Sequence, residues 1–407
     1  MIEANSSAFW RATLALCIGS FMIFANVYVT QPLLPLLSQS FELTPLQASW
    51  SFTVTTLMLG LSLLIYGPLS DALGRPRLML ISLCGVVMTT YGLSMVISYE
   101  QLVLLRGIQG LCMGGLPAIA IAYMGDEFKR PALAMAVGFY ISGNTLGGIG
   151  GRLIAGFVGD WLGWQEVFLV MSLISLICVC LFVWLLPVPQ NFVAKPLRPV
   201  RMLADLGDHL RNPLLLLAYL IGGFNFFIFI NQYSYATFML AAEPYNLPAS
   251  ILGLMFLTYL SGTFGSAMSG RFARLMPQPL VIAVGVLILA CGTLITLLPS
   301  AWAVVAGFFV NAFGFFVAHS SASSWVSHTA THSRASASSL YLVFYYLGAS
   351  TGGFYLDPFW HWQAWQGVVV GSLLVLSATF TAAVVLYIKG CVVPARMEST
   401  FIEKPAC

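Results

Sequence analysis

Gly67-Pro-Leu-Ser-Asp-Ala-Leu-Gly-Arg-Pro-Arg77 is the most charged short segment for a long way in either direction. It places Asp71, Arg75 and Arg77 between two apolar runs, near residues 47–67 and 78–98. Each run supplies the about 20 apolar residues that a helix needs to cross a bilayer. The stretch therefore reads as a polar hinge that turns the chain back into the membrane.

Composition supports a lipid environment. Of the 407 residues, 59% are hydrophobic and 8% are charged, against about 25% charged in soluble domains. Such a chain cannot cover itself with polar groups in water. The net charge of +3 is too small to point to nucleic acid, and no such partner is expected. The eight cysteines show no metal-ligand spacing, and Cys178 and Cys180 fall on different faces of one helix. No nucleophile–base set, metal cluster or nucleotide-binding glycine loop is visible, so neither an enzyme nor a cofactor is expected; a membrane enzyme or sensor is the remote alternative.

Twelve apolar runs are long enough to span, near 11–37, 47–67, 78–98, 101–123, 132–157 and 166–187, then 213–239, 250–270, 279–298, 301–323, 335–356 and 365–388. The first is too long for the apolar region of a signal peptide. Residues 1–187 form one six-span half and 213–388 the other. A proline-rich, basic linker, 188–212, joins them, and a tail, 389–407, comes last. Within the linker Met202, Leu203, Leu206 and Leu210 recur at helical spacing opposite Asp205, Asp208 and Arg211. That pattern predicts a short amphipathic helix on the membrane surface.

Orientation follows from the basic residues. With a cytoplasmic N-terminus, all but two of the 17 Lys and Arg residues fall on the inside. The outside loops carry Glu42, Glu100, Asp160, Glu166, Glu243 and Asp357 instead. Both termini are then cytoplasmic. The two exceptions, Arg106 and Arg152, lie within spans. The halves also repeat: FYISGNTLGG at 139–148 aligns with FYYLGASTGG at 344–353, and Trp164-Gln165 resembles Trp365-Gln366. Parallel six-span repeats are a transporter architecture with the substrate site between them.

These residues carry a resemblance. The hinge is similar to the loop 2–3 signature G-x-L-x-D-x-x-G-R-[RK] of the major facilitator superfamily, with Pro76 displacing the last basic position to Arg77. Arg106 and Gly110 match the R-x-x-x-G pattern of the fourth span. Gly143, Gly147 and Gly151 resemble the antiporter motif G-x3-G-P-x2-G-G of the fifth, except that Gly148 replaces the proline and Arg152 the final glycine. The likeness is strongest to the twelve-span drug:proton antiporter branch, near arabinose-efflux-permease-like bacterial inner-membrane proteins. It implies an all-α integral membrane fold of twelve helices in two pseudo-symmetric halves, and proton-coupled efflux of a small-molecule substrate by a functional monomer in the inner membrane.

Under that resemblance Gly67, Asp71, Gly74, Arg75, Arg77 and Asp126 form a conformational latch between the halves. Asp71 would sit at the start of the eleventh helix, near residue 335, where a carboxylate stabilises the positive end of the helix dipole. The second-half loop has Gly270 where the first has Asp71, so any such latch is one-sided. Gly67 would allow a close helix approach, and the glycines of the fifth span, Gly148 included, would pack it against the eighth.

Arg106, Arg152, Gln31 and Gln232 predict an acid-free polar layer in the outer third of the membrane. Its arginines either bind an anionic or carbonyl-rich substrate or bridge to backbone carbonyls or to an acid such as Asp160; snorkelling is the plainer alternative. Asn225, Asn311 and Tyr345, with Tyr28, Phe229 and Phe315, predict an aromatic, weakly polar cavity. No acid lies within a span core, so the proton candidates are Asp71 and His319, the latter equally readable as a buried histidine bonded to Ser320 or Ser323. An uptake symporter or facilitator for a small organic anion is the alternative reading.

Overall fold

The computed structural model describes residues 1–192 and 199–400. Ten helices are long and apolar enough to cross a membrane, among the described residues. One of them covers 336–390 but breaks at Gln363 and Ala364, whose backbone angles are not helical. It therefore holds two spans. The 32-residue helix Arg130–Trp161 has the length of a span and carries the extra charges of Arg152 and Asp160. Twelve crossings result, as expected.

Local chemistry sets the ends and breaks. The second span, Pro45–Leu73, starts on a reciprocal cap between Thr44 and Gln47, with proline at its first position. It ends at Gly74, whose φ of +100° only glycine adopts readily, and the third span, Arg75–Leu93, begins at once. Asn212 accepts from the amides of Leu214 and Leu215 to start the seventh, Pro213–Ala241. The first span is helical over Ser7–Tyr28, passes through a 3-10 turn at Gln31–Leu33, and resumes over Leu34–Phe41. Pro32 and Pro35 have no N–H to offer, so the carbonyls one turn before them lose their helical partners. The fourth span breaks at Gly114, between Tyr99–Met113 and Gly115–Glu127.

Each half is held by small residues on one seam. A Cβ at Gly147 would lie 2.3 Å from the carbonyl oxygen of Phe21, and one at Gly151 the same distance from that of Ala25. The fifth span thus packs on the first, not on the eighth as expected. The repeat performs the same packing: Gly348 and Gly352 bring the eleventh span against the backbone of Gly223 and Phe227 in the seventh. The eighth span, Ala249–Met255 continuing through Tyr259–Leu275, meets the fifth only further along, where Gly156 faces Ala249 and Gly253. Gly148 is a second correction: its neighbours, Tyr28 and Arg152, stand at ordinary contact, 3.4 and 3.5 Å. Gly147→Leu should therefore abolish a monodisperse peak in size-exclusion chromatography, whereas Gly148→Ala should leave the melting temperature unchanged. Equal behaviour of the two would contradict this seam.

The described contacts between halves lie from mid-depth toward the side of the acidic loops. Thr56 Oγ1 is 3.1 Å from Ser350 Oγ, Ser250 donates to Asp160 at 2.7 Å, and Leu46 touches Gly353. The deepest is Gly60 against Tyr346. Toward the basic side, a Cβ at Gly67, Gly138 or Gly270 would meet nothing within 4 Å. The described contacts that join the halves thus lie on the acidic side and at mid-depth. Gly67 therefore makes no close helix contact here, contrary to expectation.

The linker is attached at both ends. Buried Glu127 accepts from the amides of Gln190 and Asn191 and from Asn191 Nδ2, at 2.9–3.2 Å. Beyond it the helix Pro199–Arg211 docks on the turn before the eleventh span. Ser333 donates to Asp205 at 2.7 Å, and His209 stacks on His332 with centroids 4.8 Å apart. Asp205 thus faces protein rather than water. The side chains of Met202 and Leu203 lie outside the described residues. Across the same face, Ile2 pairs with Phe128, and hydrogen bonding to Lys129 holds the Glu3 carboxyl below the usual range.

Candidate functional site

Four polar centres account for the residues singled out in the sequence. At the hinge, Arg75 Nη2 lies 3.0 Å from Asp71, while its Nε donates to Asp126. Arg75 is nearly buried, so these hydrogen bonds matter more than a surface pair would. The cluster ties the ends of the second, third and fourth spans together, all within the first half. Its described ion pairs do not reach the second half in this conformation, and Arg77 is exposed outside it.

Arg106 and Arg152 are the two largest side chains with no exposed surface. Neither meets a carboxylate among the described residues. Arg106 is enclosed within the first half. Its Nε donates to Ser51 O at 3.0 Å, Nη1 to Asn26 O at 2.9 Å and Gln109 Oε1 at 2.5 Å, and Nη2 to Val27 O at 2.9 Å. Asn26 and Val27 stand where the first span stops being helical, so the guanidinium caps the broken helix end. Asn26 also receives Thr90 at 3.0 Å and reaches Ser175 at 2.9 Å. The expected alternative of bridging to backbone carbonyls describes what Arg106 does.

The second half repeats this node without the charge. Asn311 Nδ2 donates to Gln232 Oε1 at 2.8 Å and to Thr293 at 3.0 Å. Gln232 and Asn311 are thus buried within one half, rather than layered with Arg152 or lining a shared cavity. Asn225 is likewise interior, donating to Phe315 O at 3.4 Å.

Arg152 occupies the junction of the halves. Its Nε and Nη2 donate to one oxygen, Gln31 Oε1, at 2.8 and 2.6 Å; Nη2 also donates to the Tyr259 hydroxyl at 3.3 Å, and Nη1 to Gly148 O at 2.9 Å. Tyr28, Phe256 and Tyr259 surround the guanidinium, with centroids 4.0, 4.4 and 4.6 Å away. Such faces stabilise a desolvated cation. Gln31 in turn donates to Ser234 at 3.3 Å and Ile230 O at 3.5 Å in the seventh span. Asp160, offered by the sequence as a partner of one of the two arginines, accepts from Ser250 instead.

From Tyr259 a column of rings runs through Phe229 and Phe315, which stack at 3.8 Å, to His319. Tyr345 lies beside His319, at 4.7 Å between centroids. His319 Nδ1 is 3.0 Å from the hydroxyl of Tyr341, which also lies 3.3 Å from the His319 carbonyl oxygen. Ser320 is bonded to Ser266, so the expected serine partner gives way to Tyr341. Sequence reading missed Phe256, Tyr259 and Tyr341, which resemble any aromatic in an apolar helix. It also missed Asn26, which the 205-residue repeat pairs with Asn231, another buried asparagine bonded across helices.

Two linked six-helix halves of membrane-spanning length, with a buried cation at their junction, are the architecture of a membrane transporter. A family description, the Major Facilitator Superfamily, matches residues 16–353, and the chain belongs to that superfamily. It is 34% identical over 389 residues to the uncharacterized MFS-type transporter YybF of Bacillus subtilis (strain 168), covering 96% of this chain and 95% of that one. It is 35% identical over 367 residues to the inner membrane transport protein YnfM of Escherichia coli (strain K12), covering 90% and 88%. Among solved structures it resembles a bacterial homolog of the human lysosomal transporter Spinster, inward-facing and unoccupied, with a TM-score of 0.70 at 16% identity over 94% of this chain and 96% of that one.

Proposed function

We propose that this transporter exports small amphipathic or polar compounds, drugs or metabolites, in exchange for protons, by alternating access in the bacterial inner membrane with both termini cytoplasmic. The observation that carries this reading is the aromatic column between Arg152 and His319. It ends in two ionisable groups, lies against the seam between the halves, and stands below the acidic-side contacts. By the positive-inside count the side on which no described contact joins the halves faces the cytoplasm, from which an exporter loads. One chain contributes both walls, which supports a functional monomer. That no acid stands beside Arg152 among the described residues favours a second reading, uptake or facilitated passage of a small organic anion.

In proteoliposomes with an imposed pH gradient, flux of a compound panel should run against the proton gradient. Movement with protons would favour the second reading, and flux indifferent to the gradient would remove proton coupling. In the opposite state, Asp71 is free to meet the start of the eleventh span. Asp71→Asn should then slow transport about tenfold, a loss of about 1.4 kcal/mol, while the protein still inserts. Normal transport by this variant would sink the latch.

A further inference from the structure

We propose that the Arg152 site takes a carboxylate, and that the side-chain amide of Gln31 is a built-in substitute holding its place. The inference rests on the transporter reading for the consequences of binding. A guanidinium presents Nε and Nη2 as parallel donors that match the two oxygens of a carboxylate. In Arg152 both donors converge on one neutral oxygen, Gln31 Oε1, at 2.8 and 2.6 Å, and Nη2 has a longer contact of 3.3 Å to the Tyr259 hydroxyl. Both close acceptors that a carboxylate would bring are thus replaced by one amide oxygen, in a buried place where a cation gains most from an anion.

The substitute is placed to leave. Gln31 opens the 3-10 turn between the two helical parts of the first span, and Pro32 comes next. Its amide reaches the second half only through bonds of 3.3 and 3.5 Å, at the long end of hydrogen bonding. A carboxylate on the fork would displace Oε1 and free that amide from Ser234 and Ile230. One clip across the acidic side is then lost as substrate binds, so loading favours opening of that side. Tyr28, Phe256 and Tyr259 offer apolar faces for the rest of the ligand. A phosphate fits less well: the Nη1 edge is taken by Gly148 O, and no second cation contacts this cage among the described residues.

The test uses the purified full chain and its thermal unfolding against benzoate, phenylacetate and salicylate, each beside its primary amide. The carboxylates should raise the melting temperature and the amides should not. Gln31→Glu sets a permanent carboxylate on the fork; it should raise the unliganded melting temperature and weaken carboxylate binding at least about tenfold. Gln31→Ala empties the fork and should tighten binding by roughly three- to tenfold. Amides as effective as carboxylates, no response to any carboxylate, or the two Gln31 variants shifting affinity in the same direction would overturn the proposal. Flux in proteoliposomes separates the two readings. Carboxylate binding without flux of any panel compound refutes the transport assignment and keeps the site. Flux of neutral compounds with no response to carboxylates refutes the site and keeps transport.

Discussion

Arg106→Ala is expected to remove most of the protein from the membrane fraction and to destabilise what remains by about 3–6 kcal/mol. The size of the loss reflects what the side chain holds. The backbone carbonyls of Asn26 and Val27, at the broken end of the first span, lose their donor in a place closed to solvent, while Ser51 O keeps the Thr55 hydroxyl. Each buried acceptor left unsatisfied costs about 1–3 kcal/mol. Gln109 loses its partner as well, and through it the bond to Thr90 is loosened. Arg106→Lys retains a charge and three donors, and should recover part of the loss. The checks are abundance in membranes and melting in detergent. A well-folded Arg106→Ala protein with only a raised half-saturation concentration would instead place Arg106 in the substrate site.

His319→Gln should leave exchange of substrate across the membrane while reducing gradient-driven accumulation at least about tenfold, or about 1.4 kcal/mol. Of the two candidates for carrying a proton, His319 is the one on the ring column that leads to the Arg152 cage. An imidazole ring can take up a proton on one nitrogen and release it again. Glutamine keeps a hydrogen-bonding group near Tyr341 and removes the titration. Counterflow and gradient-driven uptake, measured on the same vesicles, separate the two activities. Unimpaired accumulation by this variant would show that the proton travels elsewhere.

The fold was legible because the bilayer imposes strong rules. Apolar length, basic loops and the repeat at 205 residues are each readable without knowing which helices touch. Gly143, Gly147 and Gly151 announced a close seam, but not which helix forms it, because a glycine marks an absent side chain without naming its neighbour. The same limit applied to the polar residues. Depth along a helix put Arg106, Arg152, Gln31 and Gln232 in one layer, yet rotation about each helix axis divides them. Arg106 turns into the first half, Gln232 into the second, and only Gln31 and Arg152 meet at the junction. Asp71, Arg75 and Asp126 were brought together as expected, since the hinge fixes two of them one helical turn apart.

A carrier whose buried guanidinium, that of Arg152, meets no carboxylate among the described residues is also an electrical device. Loaded with a monoanion, the Arg152 site is neutral; empty, it bears one positive charge. A unit charge crossing the whole membrane field changes in energy by about 2.3 kcal/mol per 100 mV, and a charge in a rocking half crosses some fraction of it. The membrane potential therefore acts mainly on the return of the empty protein and little on the loaded stroke. An inside-negative cell would bias the unloaded site toward the cytoplasm, which for an exporter is the side where the next substrate waits.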